Sequence, residues 1–113
     1  MDTYRIKDWD DNFEIAQSRK CAGMKMSWVS IPNKHEGEGY NALKEEPKRV
    51  EVFCAWVLLV QTASKMPVRG VLEDKRGPLT SKRLALRTGF PEEIFELAFE
   101  VLTDDKIGWL EIA

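Results

Sequence analysis

The chain has 113 residues, the length of one domain and enough to bury an independent core. Apolar residues make up 43% and charged residues 32%, a balance too apolar for a disordered chain. Seventeen Lys and Arg face nineteen Asp and Glu, so the formal net charge is −2; this excludes a globally basic nucleic-acid coat and a polybasic membrane binder, but not a local basic patch.

The first residues carry Asp2, Asp8, Asp10, Asp11 and Glu14 and no apolar run, so they do not read as a secretory signal. Residues 1–23 read instead as an irregular or partly helical arm. Its apolar residues are Ile6, Trp9, Phe13 and Ile15, with Trp9 and Phe13 at helical spacing. Residues 25–32 alternate apolar and polar through Met26, Trp28 and Ile31, which predicts a strand ended by Pro32. Residues 33–40 contain Asn33, Gly37 and Gly39 and predict a loop. Asn41 is placed to cap a short helix that Pro47 terminates.

The strongest helix signal covers residues 48–66. Val52, Trp56, Leu59 and Ala63 form one stripe, with Phe53, Val57 and Val60 beside it. Because Val52 to Val60 is apolar almost all round, this helix must be covered on more than one side. The N-terminal arm is the expected cover, and a homodimer is the alternative. At nine residues this longest apolar run is far short of the roughly twenty that span a bilayer. A cytoplasmic protein with Cys21 and Cys54 reduced, no membrane contact and no disulfide is therefore expected.

Past Pro67, residues 68–73 suggest a short strand and Asp74 to Pro78 a charged turn. Thr80 or Ser81 then caps a helix over Lys82 to Thr88, which Gly89 stops. Pro91 at a first helical position, followed by Glu92 and Glu93, opens another helix that runs to about Asp105. Its expected buried set is Ile94, Phe95, Leu97, Ala98, Val101 and Leu102. After Gly108, residues 109–112 read as a strand expected to lie beside residues 68–73. The expected class is α+β, mainly α. Residues 1–47 form an arm, strand and loop packed on the core, and residues 48–113 form a winged helix-turn-helix with a small antiparallel sheet. An unrelated three-helix domain with a hairpin is the alternative.

The runs ASKMPVRGVL (63–72), LTSKRLALRTGFPEEIFELAF (79–99) and IGWLEI (107–112), with Phe53, Ala55 and Trp56, carry a resemblance. Residues 48–113 resemble the N-terminal winged-helix domain of phage-type replication-initiation or replisome-organiser proteins, related to DnaD-like domains. The upstream strings DWDDNFEIAQSR and WVSIPNKHEGEGY are similar to proteins of that kind. The resemblance implies a winged helix with a role in DNA replication. Larger members carry a further C-terminal region, whereas this sequence reaches Ala113 directly after the first expected wing strand.

Charge is segregated within the helix-turn-helix. Lys75, Arg76, Lys82, Arg83 and Arg87 occupy residues 75–90 without an acid, and Arg69 extends the set. These six are the expected DNA contacts, made through phosphates and with low sequence specificity. Residues 91–105 hold six acids and no base. Glu92, Glu96 and Glu100 line the face that a recognition helix shows the major groove, which opposes direct base readout. That row is instead the expected contact for a basic partner protein.

No catalytic set, metal site or cofactor is expected. His35 is the only histidine and has no nucleophile motif near it. One His and two Cys have no metal-ligand spacing. Asp8, Asp10, Asp11 and Glu14 lack the calcium-loop pattern, and residues 37–40 lack the ending of a phosphate loop. Cys54 reads as a small core residue. Of the four Trp, Trp56 and Trp109 fall on core faces, and Trp9 and Trp28 read as packing anchors.

Overall fold

The structure is a computed structural model that describes residues 2–14, 26–32 and 37–113. Ile15 to Lys25, with Cys21, and Asn33 to Glu36, with His35, lie outside the described residues, so the expectations for them are not addressed.

The fold is α+β and mainly helical. In chain order the described elements are β1 (Tyr4–Ile6), α1 (Trp9–Asn12), α2 (Glu38–Leu43), α3 (Arg49–Ala63), β2 (Glu73–Asp74), β3 (Gly77–Pro78), α4 (Ser81–Thr88), α5 (Glu92–Leu102) and β4 (Leu110–Ile112). Helix α3 is the centre. Val52, Ala55, Trp56, Leu59, Val60 and Ala63 are buried on it, and it packs against α5 and β1. Phe13 closes on Trp56 edge-on, with ring centroids 6.2 Å apart. Within one chain α5, β1 and the arm residues Trp9 and Phe13 bury Val52, Ala55, Trp56, Leu59 and Val60 of the apolar run, while Phe53, Val57 and Leu58 are half-buried. Cys54 lies on the exposed side of α3, not in the core as expected, since its two neighbours on the buried stripe are Ala55 and Trp56.

Strand β1 corrects the reading of the N-terminal arm. Tyr4 and Ile6 favour extended backbone, and their pairing supplies the rest. Strand β1 runs antiparallel to β4, with Arg5 opposite Glu111 and Ile6 opposite Leu110. On its other side the Ile6 N–H donates to the Gly70 carbonyl and the Leu72 N–H donates to the Tyr4 carbonyl, each at 2.8 Å. The C-terminal strand therefore lies beside β1 and not, as expected, beside residues 68–73; β1 stands between them. Tyr4 stacks on Phe99 at 4.3 Å, which fixes β1 against α5.

Further expectations are displaced. The segment 68–73 contributes a single bridge at Val71, and its last residue opens the hairpin of β2 and β3. Met26 to Pro32 form no strand, and Trp28 is 65% exposed, so it anchors nothing among the described residues. Among the described residues, alternation there has no neighbouring strand to make a ladder with. Helix α2 begins at Glu38, which places Asn41 inside it and gives the N-cap to Gly37. Pro91 is the N-cap of α5 and not its first helical residue, and α5 stops at Leu102 before the two aspartates.

The chain turns sharply onto the sheet at Gly70. Its φ of 92° suits glycine, and a Cβ there would sit 2.6 Å from Cγ of the buried Trp9. Among the described residues no helix is long and apolar enough to cross a membrane.

Candidate nucleic-acid interface

Helix α4 is short because its ends are both specified. The Thr80 hydroxyl accepts the Arg83 N–H at 3.1 Å, a side-chain cap at the start. Gly89 ends the helix in the left-handed region, at φ 76°, with its N–H donating to the Ala85 carbonyl. The Thr88 hydroxyl accepts the Phe90 N–H at 3.1 Å, and Phe90 meets Phe95 edge-on at 5.9 Å. The turn is thereby tied to α5. Leu84 is the buried residue of α4, and Ile94, Phe95, Ala98 and Leu102 are those of α5. Helices α3, α4 and α5 pack as a three-helix unit, with α5 against both others.

The hairpin is clamped to the start of α4 by one side chain. The Arg83 guanidinium pairs with the Asp74 carboxylate and donates to the carbonyls of Gly77 at 3.2 Å and Pro78 at 3.0 Å. Asp74 also accepts the Arg76 N–H at 2.9 Å. The Arg83 bond, and then the Arg76 N–H, hold the Asp74 carboxyl below the usual carboxylate range. The clamp holds the two-residue tip, Lys75 and Arg76, next to the first turn of α4.

The six cations expected to contact DNA thus separate into two kinds. Arg83 is occupied by the clamp. Arg69 is turned inward: its side chain is 9% exposed and pairs at 3.4 Å with Glu14, itself 4% exposed. Glu14 also accepts the Trp9 indole N–H. Arg69 is therefore a packing residue of the arm and leaves the surface set; its partner lies far upstream, out of reach of any local pattern. Lys75, Arg76, Lys82 and Arg87 are exposed, and their side chains form no ion pair or hydrogen bond with the described residues. Leu86, 78% exposed, shares the outer face of α4 with Lys82. Sequence reasoning passed over it, although its position two residues after the buried Leu84 turns it outward.

The acidic row is less uniform than its spacing suggests. Glu93, Glu96 and Glu100 are exposed, and Glu92 is half-buried. The Ser81 hydroxyl reaches Glu96 at 3.4 Å, linking the start of α4 to the middle of α5. The Asp104 carboxylate accepts the Lys106 N–H at 2.9 Å, so it serves the turn after α5. Among the described residues no group of three His, Cys, Asp or Glu is placed to hold a metal ion.

No family model, curated protein or solved structure matches this chain.

Proposed function

We propose that the protein is a non-enzymatic winged-helix module that binds duplex DNA through its phosphates, of the phage or replication-initiation type. The observation that carries this reading is the set of four exposed cations Lys75, Arg76, Lys82 and Arg87, whose side chains form no ion pair or hydrogen bond with the described residues. They lie on a hairpin tip and a helix that the Arg83 clamp holds together. Cations in that state can exchange water and counterions for phosphate without first breaking a bond to protein. The order helix, bridge, hairpin, helix, tight turn, helix and strand supports the winged-helix assignment. Strand β1 lies where β4 would otherwise need a second wing strand beside it, so the sheet is completed from the N-terminal side.

Sequence readout is not part of the proposal. The exposed side chains of α5 include Glu93, Glu96 and Glu100, which repel phosphate and cannot make the bidentate contacts of Arg, Asn or Gln. The test is binding of a labelled duplex at low salt, with the native chain and with Lys75→Ala/Arg76→Ala/Lys82→Ala/Arg87→Ala. Native binding of any duplex of equal length, lost in the variant, is the expected result. No native binding, or equal binding by both, refutes the reading.

The acidic row supports a second reading, an interaction surface for a basic partner protein. Capture of basic proteins that disappears on Glu93→Lys/Glu96→Lys/Glu100→Lys is its expected signature. Unchanged capture counts against it.

A further inference from the structure

One side of the central helix α3 stays open to solvent. Val50, Cys54, Val57 and Gln61 follow one another at intervals of four, three and four residues, the spacing of a seam between paired helices. Val50 is 71% exposed, Cys54 and Gln61 are exposed, and Val57 and the adjoining Leu58 are half-buried. From Val52 to Ser64 no residue carries a charge. The outward face of a helix is ordinarily polar, whereas this one keeps apolar side chains in water.

The two ends of the stripe differ in sign. Glu51 is exposed in the first turn of α3. Lys65 is exposed in the turn after the helix, where its N–H donates to the Thr62 carbonyl at 3.0 Å. With Leu58 midway between them, the two lie on the same flank of the seam. Neither side chain has an ion pair or hydrogen bond with the described residues.

We propose that this face pairs with the same face of a second copy, the two α3 helices running antiparallel about a two-fold axis at Leu58. The stripe is complementary to its own reverse. Glu51 of each copy then lies opposite Lys65 of the other, and the uncharged seam closes between them. A parallel pair would set Glu51 against Glu51 and Lys65 against Lys65, at a cost in like-charge repulsion. One self-complementary patch supplies both sides of a two-fold dimer, so no second surface is required. In this register Cys54 of one copy stands beside Gln61 of the other, while the two Cys54 are about 12 Å apart along the axis. The four cations assigned to DNA lie off α3, so the proposal is independent of that reading.

The test is sedimentation equilibrium on the full chain from micromolar to millimolar concentration. The native chain is expected to pass from monomer to dimer. Cys54→Lys/Gln61→Lys sets like charges in the seam at two exposed positions, and is expected to stay monomeric with unchanged helix content. Glu51→Lys and Lys65→Glu are each expected to weaken dimerisation about threefold to tenfold, and an equimolar mixture of the two to recover it. In a Cys21→Ser chain, Gln61→Cys is expected to give a disulfide-linked dimer on mild oxidation, through Cys54 of the second copy. Within one helix those two positions are about 10 Å apart, too far to bridge, and the link is expected to vanish with Cys54→Ser. A native chain that stays monomeric at millimolar concentration overturns the proposal and leaves the face to a different protein. A dimer that survives Cys54→Lys/Gln61→Lys, or that Gln61→Cys fails to link, overturns it as well.

Discussion

The arm and the hairpin with helices α4 and α5 handle charge in opposite ways. In the arm, Glu14 and Arg69 are drawn inside, matched to each other and to the Trp9 indole N–H, and packed over by aromatic rings. On the hairpin and α4, one cation is held in a clamp while four stay in solvent, and α5 turns three glutamates outward. Both arrangements use ordinary Arg, Lys and Glu. The difference is burial: inside, a charge without its partner is very costly, whereas outside it is screened and free to meet another molecule. Position in the fold, more than residue type, therefore separates structural cations from candidate binding cations.

The sharpest way to break the comparison is Arg69→Ala. It leaves Glu14 buried without its guanidinium, and removing one partner of such a pair costs about 3–5 kcal/mol. Chemical denaturation is expected to show that loss, while the folded variant binds DNA like the native chain. A stable Arg69→Ala protein with weakened DNA binding would move Arg69 to the other region.

A smaller effect is expected at the start of α4. Thr80→Ala removes the side-chain cap of α4 and should lower stability by about 1 kcal/mol. No change in the denaturation midpoint would mean that the cap is not holding the helix.

The smallest effect concerns pH. The Asp74 carboxyl is held below its ordinary value, chiefly by the Arg83 bond, so the folded state favours its charged form. Its contribution is present above the unfolded pKa, about 4, and fades as pH falls through the lower folded value. The stability difference between the native chain and Asp74→Asn is expected to shrink over that acidic window. A difference that instead grows on acidification would contradict the sign of the clamp.

The helices were largely legible in the sequence because their signals are local. Apolar spacing on residues 52–63, a threonine before residues 81–88 and a glycine after them are each complete within a few turns. The sheet was not legible in the same way. Strand β1 has three residues, and what makes it a strand is β4 at the far end of the chain and Gly70 to Leu72 in the middle. Without that knowledge, Tyr4 to Ile6 read as part of an irregular arm. Met26 to Pro32, with better alternation, read as a strand but have no partner among the described residues. The candidate site divides likewise. A run of cations is visible in the sequence, but which of them are occupied depends on Glu14 and on the carbonyls of Gly77 and Pro78. The spacing put Trp56 on the core face, but that its indole N–H has no acceptor among the described residues is a tertiary fact no local pattern shows.

The central claim is that four outward cations, and not six, meet DNA phosphates. The salt dependence of duplex binding counts them most directly. Four phosphate contacts predict a slope of log K against log salt of about −3.6 for the native chain, falling to about −1.8 in Lys82→Ala/Arg87→Ala. A slope unchanged by that double variant, or a native protein whose affinity ignores salt, would contradict the account.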